Sequence, residues 1–109
     1  MSVLVIRKHK RFAVRRMVAL SVGGALRRGL LVEVSLEGFR IGNIDSDGLP
    51  LGEEVELRIH GFGSLKAEVR WTQPGVVGLH LVEALHIPRL NDLICLCRRG
   101  PDDLLAYGT

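Results

Sequence analysis

Two arginines spaced by four stand at the head of the chain, in Arg7-Lys8-His9-Lys10-Arg11. A planar guanidinium makes paired hydrogen bonds to phosphate oxygens or to guanine O6 and N7, where a lysine offers only a point charge. The run from Arg7 to Arg16 holds six Lys or Arg in ten positions, although the whole chain carries a formal charge of only +3. Residues 17–109, with nine Lys or Arg against twelve Asp or Glu, carry −3. A mildly acidic body with a basic front end invites an anion. The arginine pair precedes the first expected strand, whose first residue Phe12 can anchor it, so these side chains can wrap a ligand on the surface. Lys8 and Lys10 add general attraction.

A second candidate stretch is VEVSLEGFRI, residues 32–41. Glu33 is followed two residues later by Ser35 and five later by Gly38. Glu33 and Ser35 share one face of an expected strand, so a carboxylate and a hydroxyl point the same way. That pairing could read a guanine edge, whose N1–H and N2–H₂ need an acceptor. Gly38 is expected to take a turn backbone that other residues resist. Arg40, just beyond, and Arg15, which repeats the four-residue spacing from Arg11 but lies inside the strand, are secondary candidates.

Catalytic readings find no support. His9, His60, His80 and His86 are scattered without metal-ligand spacing, and His60 and His80 fall on the polar parity of their strands, as exposed histidines do. No Ser lies in a nucleophile-elbow context and no phosphate-binding GxxxxGK[ST] occurs, while Gly61-Phe62-Gly63 reads as a turn. Cys95 and Cys97 point about 200° apart on a helix, which suits neither a disulfide nor a shared metal. They read as buried or half-buried structural thiols. No enzyme, metal or cofactor is expected.

The elements that must position these residues are short strands. Thirteen glycines in 109 residues punctuate alternating runs, the mark of an antiparallel β fold. The runs are Phe12 to Val22 with a Gly23-Gly24 turn, Leu26 to Ser35, Phe39 to Gly42, Glu54 to His60, Leu65 to Trp71 and Val76 to Glu83. In the fifth, Leu65, Ala67, Val69 and Trp71 are assigned to the inward face. NIDSDGLPLG, residues 43–52, is turn chemistry almost throughout. After Glu83 the period changes: Ile87, Leu90, Ile94 and Cys97 recur at helical spacing, with Leu93 widening the stripe. Pro88 suits the first turn, and Gly100-Pro101 reads as a stop. The expectation is one domain, a mainly all-β six-stranded antiparallel barrel with a C-terminal helix. Its parts are a basic leader (1–11), a barrel (12–83), a helix (87–99) that lids or flanks it, and a tail (101–109). Val3 to Ile6 is too short for a signal peptide and no run approaches the roughly 20 apolar residues that span a bilayer, so a cytoplasmic protein is expected.

Together the two motifs resemble the PilZ domain, the bacterial receptor module for cyclic di-GMP, whose signature is R-x-x-x-R followed by [D/N]-x-S-x-x-G on a small barrel with a flanking helix. RKHKRFAVRRMVAL and VEVSLEGFRIGN match the motif regions. GEEVELRI, KAEVRW and VVGLHLVE resemble the later strands, including a Trp near the end of the fifth. The resemblance implies that Arg7 and Arg11 grip phosphates and a guanine Hoogsteen edge, and that Ser35 and Gly38 form the second motif beneath a guanine. Glu33 stands where the family has Asp or Asn. It keeps the acceptor but adds a methylene, and losing one such contact costs about 1–3 kcal/mol, or ten- to a hundredfold in affinity. The implied role is a stand-alone receptor that passes the signal to an unidentified downstream protein. A PilZ-like adaptor that binds no nucleotide is the alternative that Glu33 favours. A nucleic-acid-binding barrel is opposed by the scarcity of stacking aromatics and by the acidic body. A membrane-surface role is opposed by the lack of amphipathic pattern in residues 7–16.

Overall fold

The structure, a computed structural model, describes the backbone of residues 10–108 and the side chains of residues 10–98. Arg7 and Lys8, two of the expected ligand contacts, lie outside the described residues.

Alternation of apolar and polar residues produces six antiparallel strands: β1 (Phe12–Val22), β2 (Ala25–Val34), β3 (Gly38–Gly42), β4 (Glu54–Ile59), β5 (Gly63–Gln73) and β6 (Val76–Leu81). They close into a barrel in the order β1-β2-β3-β6-β5-β4, with β4 pairing back onto β1. The Gly23-Gly24 hairpin has both residues at positive φ, 56° and 87°, and Asn43 takes the left-handed region at 50°; these turn residues adopt the backbone their types favour. Inside, Leu20, Leu31, Val34, Phe39, Ile41, Leu57, Ala67, Val69, Val77 and Leu79 form one core. Burying a side chain of this size contributes roughly 1.5–3 kcal/mol.

Three register irregularities interrupt the ladders, between Ala13 and Arg16 on β1, Leu31 and Glu33 on β2, and Val69 and Trp71 on β5. Each advances one strand by an extra residue and re-aims the side chains beyond it. On β5 this overturns the strict alternation: Ala67 and Val69 point inward but Trp71 lies outside, 38% exposed. On β1 the inward parity that carries Val18 and Leu20 also carries Arg16, which is buried.

The helix α1 (Ile87–Gly108) packs against β1 and adds Leu90, Leu93, Ile94 and Cys97 to the core. Ile87, placed on the same stripe from its spacing, is exposed, as befits the first helical residue. Cys95 is exposed as well, so only Cys97 is a buried thiol. The helix does not stop at Gly100-Pro101 but runs to Gly108. Pro101 therefore lies inside the helix, where it has no backbone N–H to donate, without ending it.

Candidate functional site

The cross-strand register draws a row across the outer face of the barrel. Ala13 on β1 pairs with Glu33 on β2, Glu33 with Arg40 on β3, Arg40 with Gly78 on β6, and Gly78 with Trp71 on β5. All three register irregularities abut this row. Above it opens a surface cleft of about 290 Å³, whose lining includes Arg11, Glu33, Ser35, Gly38, Arg40, Arg70, Trp71 and His80. One cleft therefore gathers residues from β1's leading end, both ends of the β2–β3 connection, and the β5–β6 pair.

The β2–β3 connection is held from several sides. Ser35 N–H donates to the Gly38 carbonyl at 2.9 Å. The Ser35 hydroxyl donates to the same carbonyl and accepts from Gly38 N–H, each at 3.0 Å. Leu81 N–H donates to the Glu37 carbonyl at 2.7 Å and Leu85 N–H to that of Leu36 at 2.8 Å, tying the turn to the end of β6. The serine is thus a staple of the turn before it is anything else. With its single proton engaged, the hydroxyl has only acceptor capacity left for a ligand.

Gly38 is required, but not for the reason its place in a turn suggests. It is not among the glycines at positive φ. Instead a Cβ built there would lie 2.9 Å from the Leu79 carbonyl oxygen, closer than a side chain can approach backbone. The glycine lets β6 pass tightly beneath the cleft.

Glu33 sits between two cations. Its Oε1 lies 3.5 Å from Arg11 Nη1 and its Oε2 lies 3.7 Å from Arg40 Nη2. One carboxylate thus bridges guanidinium groups from β1's leading end and from β3. Both pairs are longer than ideal and solvent-facing, so the bridge positions the arginines more than it stabilises the fold.

Arg15, a secondary candidate, is exposed on β1 and does not line the cleft. Lys10 lies over the Phe12 ring, 5.6 Å from its centroid, and does not line it either. Arg16, counted in the basic run, turns inward. Its Nε and Nη2 donate to the His60 carbonyl at 3.1 and 2.8 Å, which binds β1 to the turn after β4. Its position on β1's apolar parity was the available signal. Near it, burial pushes the Cys97 thiol above its usual range, opposed by the nearby positive charges of Arg16 and Arg98. Arg70, Trp71 and His80 are cleft residues that sequence reasoning did not assign. The bulge that turns Trp71 outward leaves no mark in the alternation, whereas a Trp directly opposite a Gly was a readable pair. Among the described residues no group of His, Cys, Asp and Glu could hold a metal.

The structure is thus a closed six-stranded barrel with a flanking helix and an arginine–carboxylate cleft on its outer wall. The PilZ domain family model matches residues 6–99, and the chain belongs to the PilZ domain family, whose members are receptor and adaptor modules. Among solved structures, the Bacillus subtilis inhibitor of motility (MotI/DgrA) is similar with a TM-score of 0.60 and 18% identity, over 95% of this chain and 53% of that one. This chain thus spans about half the length of that protein. An uncharacterised Legionella protein superposes with a TM-score of 0.48 and 21% identity, over 88% of this chain and 98% of that one. No curated protein sequence matches this chain.

Proposed function

We propose that this PilZ domain is a cyclic di-GMP receptor that passes the signal to a downstream protein. The observation that carries the reading is the convergence of Arg11, Glu33, Ser35, Gly38 and Arg40 on one cleft. Arginine forks suit the phosphates and the guanine Hoogsteen edge, and the Glu33 carboxylate suits guanine N1–H and N2–H₂. Arg7 completes the arginine pair by its place in the sequence. Among the described residues no helix is long and apolar enough to cross a membrane, and the output is assigned to protein contacts.

A second reading, an adaptor that binds no nucleotide, is favoured by the Glu33 bridge, since a carboxylate already neutralises two of the cations a phosphate would seek. Titration calorimetry separates the two. Cyclic di-GMP is expected to bind the parent and GMP to bind far more weakly, because one base and one phosphate can engage only half of the cleft. Arg11→Ala should remove most of the heat without changing the melting temperature, since its side chain is largely exposed. Silence towards cyclic di-GMP in the parent and in Glu33→Asp alike supports the adaptor. Tight binding of a short oligonucleotide with a steep salt dependence, and none of the dinucleotide, overturns both.

A further inference from the structure

The outer wall of the barrel carries a second concavity, centred on β1 rather than on β3 and β6. A groove of about 670 Å³ crosses β2, β1 and β4 and ends at the β4–β5 turn, and it shares no lining residue with the cleft around Glu33. Its floor is Ala19, which pairs with Arg28 on β2 to one side and with Arg58 on β4 to the other. Two strand spacings set those arginine backbones about 10 Å apart, with only a methyl group between them. Met17, two residues along the same face of β1, is 56% exposed, and Phe62 lies at the turn. The turn itself is fixed, because the buried Arg16 holds the His60 carbonyl through two hydrogen bonds. A Cβ built on Gly63 would meet nothing within 4 Å, so the groove stays open at that end.

An exposed methionine alone is ordinary surface. The charge sets this groove apart. Residues 17–109 hold nine Lys or Arg against twelve Asp or Glu, yet two arginines line the groove and, among the described residues, no Asp or Glu does. Arg58 donates to Glu56 at 3.2 Å, which offsets part of that charge. Among the described residues Arg28 has no ion-pair partner. An apolar floor between two cations fits an apolar side chain flanked by carboxylates. A bilayer is met by protruding apolar side chains rather than by a concave floor. A nucleic-acid base would need a stacking ring, and the one aromatic that lines the groove, Phe62, already carries Arg89 over its ring, 4.1 Å from the centroid. We propose that this groove is the docking site for the downstream protein, and that it takes an acidic segment with apolar anchors. The inference rests on the reading of output through protein contacts, and deepens it, without depending on what fills the cleft.

Fluorescence anisotropy of a labelled synthetic peptide that alternates Leu with Glu, beside the same peptide with Gln for Glu, tests the groove in the absence of nucleotide. The Glu peptide is expected to bind the parent, more tightly at low salt, and the Gln peptide several-fold more weakly. Arg28→Glu should weaken the Glu peptide by about fivefold or more, the loss of a surface ion pair. Met17→Ser should weaken it by about fivefold through lost apolar contact. Both side chains are exposed, so both variants should keep the parent's melting temperature. Equal binding of the two peptides, or equal affinity in the parent and Arg28→Glu, overturns the proposal. Binding to phosphatidylserine vesicles that Arg28→Glu abolishes overturns it in favour of a membrane face. A concentration-dependent dimer that Met17→Ser dissolves overturns it in favour of a second copy of this chain. Each of these results leaves the calorimetry with cyclic di-GMP standing. Peptide binding in a protein silent towards cyclic di-GMP removes the receptor reading and keeps the groove.

Discussion

Shortening Glu33 by one methylene should tighten the binding of cyclic di-GMP. In the free protein the Glu33 carboxylate spans Arg11 at 3.5 Å and Arg40 at 3.7 Å. A ligand phosphate must break into that bridge. The side chains are 68%, 43% and 24% exposed for Arg11, Arg40 and Glu33, so each pair is worth at most about 1 kcal/mol. Asp is too short to hold both guanidinium groups but keeps an acceptor for guanine. Glu33→Asp should therefore return up to about 1 kcal/mol to the ligand, roughly a fivefold gain in affinity. Glu33→Gln frees the arginines equally but replaces the charged acceptor with an amide, and should bind about tenfold more weakly than Glu33→Asp. Calorimetry with all three proteins at low and physiological salt reads both effects, and the gap between parent and Glu33→Asp should narrow as salt screens the exposed bridge. If Glu33→Asp binds no better than the parent at low salt, the bridge does not compete with the ligand. If Glu33→Gln matches Glu33→Asp, the carboxylate reads no guanine.

Gly38→Ala should cost about 1–3 kcal/mol of stability as well as binding, because the added methyl meets the Leu79 carbonyl; an unchanged denaturation midpoint contradicts the close approach. Arg16→Met leaves the His60 carbonyl without its two donors and should lower stability by about 1–3 kcal/mol, or several degrees in melting temperature, with the cleft's residues untouched. For the thiols, a titrating reagent should label one cysteine of the native protein quickly, Cys95, and the second, Cys97, only on unfolding. Burial holds the Cys97 thiol above its ordinary value of 9.0, so the folded state keeps its proton where the unfolded chain loses it. Stability should be unaffected by this group below about pH 9 and fall as pH rises beyond it, and Cys97→Ala should flatten that alkaline slope.

The barrel was legible in the sequence because closed antiparallel sheets leave a two-residue period wherever one face is buried, as in Val55, Leu57 and Ile59 on β4. The change to helical spacing at Ile87 was equally plain. What the period could not carry was the insertion of a single residue. At Trp71 a bulge inverts the parity, and at Val32 another lets both Leu31 and Val34 point inward while Glu33 faces the cleft. Both are invisible to a template that assumes regular strands. The motif residues were found by type and spacing, yet two of their roles were not. Ser35 closes its own turn, and Gly38 is needed for clearance from β6 rather than for its torsion angle; each depends on what comes close in three dimensions.

The same irregularities explain how such a cleft can be built on so small a barrel. A regular strand sends alternate residues to core and solvent, so an outward residue on one strand meets outward residues on its neighbours at fixed intervals. Bulges at Ala13–Arg16, Leu31–Glu33 and Val69–Trp71 break that spacing along one row and gather arginine, carboxylate and indole there, while the core residues behind them stay in contact. Substitutions of Arg11, Glu33 or Arg40 thus act on the outer wall and should change affinity far more than folding. Gly38 and Gly78 are different in kind. Each holds open a space that another group already occupies, the Leu79 carbonyl in one case and the Trp71 ring in the other, so there the shape of the cleft and the stability of the barrel rest on the same missing side chain.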